Sequence, residues 1–137
     1  MTTPIQEALP LGQSIWYDGI RRSLLTSGEL EHTVKKQGLR GMTSNPSIFD
    51  AAIAGSSDYS DAIAELRRCG PTDAKSAYES LAIADIRGAT DIFRPLYDES
   101  GGGDGYVSME VPPSSPMTRP PPWPRPGGCG VRSTGPT

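Results

Sequence analysis

The segment Leu39–Phe49, LRGMTSNPSIF, constrains the fold of this chain more than any other. Its apolar and β-prone beginning predicts a strand from Leu39 to Thr43. Asn45 can then cap a helix, and Pro46 can take that helix's first position, where its missing N–H costs nothing. A strand that passes so quickly into a helix is typical of βα units. Polar side chains at the end of such a strand are candidates for binding or catalysis.

The rest of residues 1–111 alternates in the same way between strand-like and helical segments. Further strands are predicted at Ser14–Tyr17 and Tyr106–Val111, and helices at Ile20–Leu25, Glu29–Gln37, Pro46–Ala54, Ser57–Cys69 and Asp73–Tyr97. Gly88 and Pro95 predict that the last helix bends or divides into two. Strands separated by helices imply right-handed crossovers, a parallel sheet and an α/β fold.

Residues 112–137 form a second segment of different composition. They hold nine of the 14 prolines and almost no aliphatic residues. Such a sequence cannot bury a core, so we expect a disordered or polyproline II tail. The predicted organisation is therefore a folded part, 1–111, followed by a Pro/Gly-rich tail, 112–137.

Charge and composition narrow the classes of function. Residues 1–111 carry ten Lys and Arg against sixteen Asp and Glu, a net charge of −6, and the tail adds only three arginines. This balance argues against a nucleic-acid partner, which needs clustered positive charge. The sequence has neither a secretory leader nor a run of about 18 apolar residues, so we expect a cytoplasmic protein with no membrane partner. The two cysteines lack metal-ligand spacing, and no metal is predicted.

Three segments resemble, in order, parts of the transaldolases. GQSIWYD at Gly12–Asp18 is similar to the first barrel strand of that family, LRGMTSNPSIF to the second and DGYVSMEV at Asp104–Val111 to the third. The resemblance implies a TIM-type (β/α)8 barrel, which typically needs about 250 residues. We therefore expect this chain of 137 residues to hold an incomplete barrel, about the first three βα units.

The resemblance also implies roles for four polar residues at the ends of these strands. Asp18 matches the family's proton-transferring carboxylate, and Glu110 and Thr43 match residues that position and activate a water. Asn45 matches the residue that hydrogen-bonds the hydroxyls of the bound dihydroxyacetone unit. The implied function is Schiff-base transfer of a dihydroxyacetone unit between sugar phosphates in the pentose phosphate pathway, with no cofactor or metal.

Taken without the family, the same residues also have structural interpretations. Asp18, before Gly19, can end a strand or cap a helix, and Asn45 before Pro46 is an ordinary helix start. Glu110 is a charge within an otherwise apolar strand, which is costly unless it faces solvent or a polar site. The residues alone leave both interpretations open.

The implied mechanism depends on a lysine that forms a Schiff base with the ketose, and in the family this lysine lies on a strand beyond the matched segments. The lysines of this chain are Lys35, Lys36 and Lys75, all in predicted helices, where we expect solvated surface positions. The sequence therefore predicts a transaldolase-type transferase that is inactive as it stands.

The change of composition after Val111 has two explanations. Regrouping the bases that encode residues 115–137 by one position can produce an alanine-rich amphipathic helix similar to the one that the family has there, which predicts a truncated and frameshifted product. The rival hypothesis is a small interaction protein that presents Pro120–Pro126 to a groove recognising polyproline II. The open edge of the third strand predicts self-association, and a separately encoded remainder that completes the barrel is a further alternative.

Overall fold

The computed structural model describes residues 2–71 and 73–110. In chain order its elements are α1 (Pro4–Ala8), a 3-10 turn (Leu9–Leu11), β1 (Trp16–Asp18), α2 (Arg22–Thr26), α3 (Glu29–His32), a π turn (Thr33–Gln37), β2 (Gly41–Ser44), α4 (Pro46–Gly55), α5 (Ser60–Arg68), α6 (Ala74–Glu99) and β3 (Tyr106–Met109). The predicted tail, 112–137, and its polyproline segment lie outside the described residues.

The three strands form one parallel sheet in the order β1-β2-β3. The central strand β2 pairs Gly41 with Trp16 and Thr43 with Asp18 on one side. On its other side Gly41 pairs with Tyr106, and Thr43 pairs with Ser108. The predicted α/β class and parallel sheet are therefore confirmed.

Two of the helix starts follow the local signals in the sequence. The Asn45 side chain accepts a hydrogen bond of 3.0 Å from the backbone N–H of Ile48, and thereby caps α4. Asp73 caps α6 in the same way, with a 3.0 Å bond from the backbone N–H of Ser76. The π turn that continues α3 ends at Gly38, whose φ of +89° is the left-handed conformation that glycine adopts without strain.

The main core lies between the sheet and α6, whose buried side chains recur at helical spacing. It contains the fully buried Met42, Phe49 and Phe93, with Val107 and Met109 of β3 packed against it. A smaller cluster is formed by Ala52, Tyr59 and Leu81 of the helical layer and joins α4 and α5 to α6.

Of the two alternatives predicted for the long helix, the division into two helices is wrong, because α6 runs unbroken through Gly88 and Pro95, whereas a bend stays a prediction. Pro95 lies on the exposed side of the helix, whereas Phe93 and Leu96 beside it are buried. Burial of these neighbours offsets the roughly 3 kcal/mol that an interior proline costs. Gly88 faces α2, where an added Cβ would lie 3.3 Å from Leu25 Cδ1, so the missing side chain permits a close approach.

The amino-terminal helix α1 was not predicted from the sequence. Thr3 Oγ1 donates a 2.8 Å hydrogen bond to the carbonyl of Gln37, and Gln6 Nε2 donates a 3.0 Å bond to the carbonyl of Lys36. These carbonyls end the π turn and have no partner within it, so α1 supplies the donors that a helix end requires.

A buried ionic cluster, which we call the Arg22–Tyr59–Asp85 triad, joins α2, α5 and α6. Arg22 donates from Nε and Nη2 to Asp85 Oδ1, at 2.8 and 2.7 Å. Tyr59 donates from its hydroxyl to Asp85 Oδ2 at 2.7 Å, and the same hydroxyl accepts a 3.3 Å bond from the backbone N–H of Arg22. Both carboxylate oxygens of Asp85 are therefore satisfied by donors, as a buried charge requires.

Replacement of Gly105, the residue before β3, tests the packing of the sheet on α6. Gly105 has a φ of +86°, and an added Cβ would lie 2.7 Å from Tyr97 N. Gly105→Ala should lower the free energy of unfolding by about 3 kcal/mol, because backbone strain and a steric clash combine. Urea denaturation of the 137-residue chain measures this loss. Gly101→Ala is the matched control, since Gly101 has a φ of +61° but open space around it, and equal losses would contradict the clash.

The dependence of stability on pH tests the triad. Burial, and after it the hydrogen bond to Asp85, raises the pKa of Tyr59 far above its ordinary value, which is about 10 in an unfolded chain. The folded state therefore keeps this proton where the unfolded state releases it. The resulting stability is complete below about pH 10 and is lost as the pH rises further, by up to about 1.4 kcal/mol per pH unit. Tyr59→Phe should flatten this decline in denaturation curves between pH 9 and 11, and an unchanged slope would contradict it.

Candidate active site

The candidate site lies on the face of the sheet that is turned away from the main core. Residues two apart in a strand share a face, so Asp18, Thr43 and Ser108 form one row across the three strands. None of the three is buried. The opposite face carries Met42 and Ser44, which are both buried. The register of the sheet thus brings polar residues together on one open face.

Asp18 and Thr43 are in direct contact. Thr43 Oγ1 donates a 2.7 Å hydrogen bond to Asp18 Oδ1, and the backbone N–H of Gly19 donates a 2.8 Å bond to the carbonyl of Thr43. The second bond extends the ladder by one residue beyond β1. Thr43 therefore orients the carboxylate of Asp18, and Oδ2 has no partner among residues 2–71 and 73–110. A carboxylate held in this way can exchange a proton with a molecule on the open face.

Asn45 caps a helix, as its sequence context suggested, and its side-chain amide nitrogen can still bind a ligand. Its Oδ1 accepts the capping bond from the backbone of Ile48 at 3.0 Å. An asparagine amide also has two N–H donors, and neither has a partner in the part of the chain that is described. The cap fixes the direction of the side chain, so helix capping and ligand binding are compatible at Asn45.

Glu110 follows β3 by one residue and continues its pairing with β2. Its backbone N–H lies 3.4 Å from the carbonyl of Ser44, and its side chain is exposed. Since Ser44 pairs with Met109, the next step of the register places Glu110 opposite Asn45, on the face of Asp18 and Thr43. The charge is thus exposed to solvent, which removes the cost of a buried carboxylate.

Ser108, which lies in the same row as Asp18 and Thr43, was not predicted as a site residue from the sequence. The resemblance gave roles to Thr43 and Asn45 but none to Ser44, which lies between them in the chain. Ser44 points to the packed face, is 2% exposed and donates a 3.1 Å bond to the carbonyl of Ser108. The alternation of side chains in a strand is the signal that distinguishes Ser44 from Thr43 and Asn45.

A row with two aromatic side chains lies two residues before the polar row, toward the amino ends of the strands. The indole of Trp16 covers Gly41 so closely that an added Cβ there would lie 2.4 Å from Trp16 Cε2. Tyr106 completes this lower row, and its ring meets Tyr97 edge to face, with ring centroids 5.5 Å apart. Trp16 and Tyr106 are 39% and 46% exposed. The open face is therefore apolar at its amino end and polar at its carboxyl end.

Asp18 also borders a groove between β1 and α4. The groove has a volume of about 420 Å³, and Arg21, Ser47 and Ile48 lie along it. Gly19 and Ile20, in the loop that connects β1 to α2, also line this groove.

None of the three lysines lies in the sheet, and all three belong to helical segments. Lys35 and Lys75 are paired with Glu31 and Glu79 one helical turn away, and their side chains are 58% and 75% exposed. The hydrogen bond and charge of Lys35 lower the pKa of Glu31. Lys36 is exposed as well. These are the surface positions that the sequence predicts for them.

Within residues 2–71 and 73–110, no three His, Cys, Asp or Glu side chains are grouped as a metal site would require. Among the same residues, no helix combines the length and the apolar character needed to span a membrane.

Comparison with known proteins identifies the family of this chain. Residues 15–118 match the family model described as Transaldolase/Fructose-6-phosphate aldolase. A transaldolase of Trichodesmium erythraeum is 48% identical over 114 residues, which cover 83% of this chain and 30% of that protein. A transaldolase of Thiobacillus denitrificans is 50% identical over 103 residues, which cover 75% of this chain and 28% of that protein.

A transaldolase of Neisseria gonorrhoeae, 44% identical over 111 residues, shows the same unequal coverage, 81% of this chain against 31% of the relative. The chain thus spans about 30% of the length of the curated relatives that it matches. The family match includes all three strands and every polar residue of the open face. The chain belongs to the transaldolase family.

Proposed function

We propose that this chain carries the part of a transaldolase site that the first three strands supply, and that it works on a ketose only when the rest of the site is present. The observation that carries the proposal is the hydrogen bond of 2.7 Å from Thr43 Oγ1 to Asp18 Oδ1. It orients a carboxylate at the carboxyl end of a parallel strand, which is where the barrel enzymes of this architecture place their reacting groups.

The chemistry of these residues suits a polyhydroxylated substrate. In this proposal Asp18 transfers a proton through its open Oδ2 oxygen, and Thr43 and Glu110 hold a water between neighbouring strands. The amide of Asn45 donates hydrogen bonds to substrate hydroxyls. Proton transfer of this kind typically contributes 10²- to 10⁴-fold to a rate. The substrates are sugar phosphates, as in the rest of the family, and the transferred group is a dihydroxyacetone unit.

The 137-residue polypeptide by itself is proposed to be inactive. Schiff-base chemistry needs a lysine amine in the site with its pKa lowered by burial or by neighbouring charge. Lys35 and Lys75 are instead exposed and paired with carboxylates on the outer helices. Neither Lys35, Lys36 nor Lys75 belongs to the sheet. The substrate carbonyl has no amine to attack it on the described face.

The sheet is proposed to be the first part of a (β/α)8 barrel. Among the described residues, β1 and β3 each pair with β2 alone. Their outer edges therefore keep unpaired backbone donors and acceptors, which favour pairing with further strands. In the chain as it stands these edges favour self-association.

A cytoplasmic location is also proposed, because it fits a family that acts on soluble sugar phosphates.

An activity assay with a completed barrel tests the proposed function. We expect no turnover of fructose 6-phosphate and erythrose 4-phosphate by the 137-residue chain. A chimera of residues 1–110 with the remaining length of the Thiobacillus denitrificans transaldolase should catalyse the reaction. In that chimera Asp18→Asn should lower kcat by about 10²- to 10⁴-fold, because proton transfer is lost.

Asp98→Asn is the matched control for the chimera. Asp98 is an exposed carboxylate on α6 that pairs with Arg94, and its replacement should leave kcat unchanged. Borohydride reduction of the 137-residue chain with a ketose gives an independent result. A covalent adduct on Lys35, Lys36 or Lys75 would refute the proposed inactivity, and equal kcat values for Asp18→Asn and Asp98→Asn would refute the role of Asp18.

A further inference from the structure

The position of Asp18 needs a support that β1 cannot supply alone. β1 has three residues, and among the described strands it pairs only with β2. Asp18 is the last residue of β1 and is exposed. The chain then turns at Gly19, with a φ of +129°. A short edge strand that ends in a kink is free to fray, so the far side of the turn decides how well Asp18 is held.

The far side of this turn is fixed by the Arg22–Tyr59–Asp85 triad. Ile20 is completely buried, and Arg22 begins α2. The backbone N–H of Arg22 donates to the Tyr59 hydroxyl at 3.3 Å, and its guanidinium donates to Asp85 at 2.7 Å. Arg22 is therefore bound through both its main chain and its side chain. Three residues, 19–21, separate this attachment from the last residue of β1.

Through Tyr59, which packs in one cluster with Ala52, the triad also contacts α4, the helix that follows β2. Tyr59 directly precedes α5, and the segment between α4 and α5 is short. Asn45 caps the other end of α4. The Arg22 guanidinium lies 4.6 Å from the centre of the Tyr59 ring, so the two side chains stack as well as sharing Asp85. The buried carboxylate of Asp85 on α6 thus binds the start of α2 through Arg22, and it is connected to α4 only through the packing of Tyr59.

Stability alone does not explain a buried cluster of this kind. Asp85 and Arg22 have side chains that are only 3% and 19% exposed, and removing two charges from water typically costs as much as their pairing returns. Apolar residues of similar volume commonly give an equally stable core. Directed hydrogen bonds differ from apolar contacts in fixing a single geometry.

We propose that Asp85 is a positioning residue for Asp18: through Arg22 and Tyr59 it holds the turn between β1 and α2, and thereby the carboxylate that Thr43 orients. Asp85 itself stays on the helical side of the sheet and does not touch the open face. This inference rests on the proposed function for its catalytic meaning, whereas the anchoring of the turn can be measured without any activity.

Amide hydrogen exchange of the full 137-residue chain tests the anchoring. The Gly19 amide, which donates to Thr43 at 2.8 Å, reports on the turn, and the amide of the fully buried Phe93 reports on global unfolding. The triple variant Arg22→Met, Tyr59→Phe, Asp85→Leu replaces the triad with apolar groups. Exchange at Gly19 should accelerate at least tenfold in this variant, while exchange at Phe93 changes less than threefold.

The control is the double variant Arg94→Met, Asp98→Asn, which removes an exposed ion pair from the same helix and should change neither amide. Tyr59→Phe alone is the milder second variant, and it should accelerate Gly19 more than Phe93. Equal acceleration at both amides, or no change at Gly19, would overturn the proposal. Failure of both triad variants to fold would also overturn it, because the triad would then support the entire fold and not the turn.

The chimera supplies the catalytic readout. The triple variant should lower its kcat at least tenfold and keep KM within threefold, since the substrate contacts remain and only the direction of Asp18 is disturbed. An unchanged kcat would refute the positioning role. If the unmodified chimera shows no turnover while Gly19 exchange responds as expected, the proposed function fails and the anchoring of the turn stands.

Discussion

The ladder between β1 and β2 is the constraint on which the open face depends. Its register pairs Asp18 with Thr43, and this pairing brings the hydroxyl within 2.7 Å of the carboxylate. Because strand side chains alternate, a slip of one residue would turn Thr43 toward the core and bring Met42 or Ser44 to the open face. The burial of Met42 against Phe49 and Phe93 prevents such a slip. Core packing and site geometry are therefore parts of one arrangement.

The helical layer has two kinds of contact with different consequences. Apolar burial along α6 supplies the nondirectional part of the folding free energy. The Arg22–Tyr59–Asp85 triad adds little to this nondirectional stabilisation. It instead joins residues 63 positions apart through directed hydrogen bonds. A further element, α1, has side chains that satisfy the last carbonyls before β2. Both devices act on the segments that lead into or out of a strand.

Most of the fold could be predicted, because its signals are local. The Asn45-Pro46 start of α4, the stop at Gly38 and the alternation of strands with helices each depend on a few neighbouring residues. The open site was predicted only as strand ends, since the Thr43 to Asp18 bond requires the register. α1 and the unbroken α6 were missed because contacts distant in sequence decide them. Gln6 reaches a residue 30 positions away, and burial beside Pro95 outweighs its local preference.

The indole ring over Gly41 lies only a short distance along the sheet from the Asp18 carboxylate. Two residues of a parallel strand rise about 6.6 Å, so a molecule that meets Asp18 at the upper row reaches the plane of Trp16 after about that depth. The lack of a side chain at Gly41 lets the ring lie flat there. The apolar ring therefore lies within the length of one small molecule from the Asp18 carboxylate.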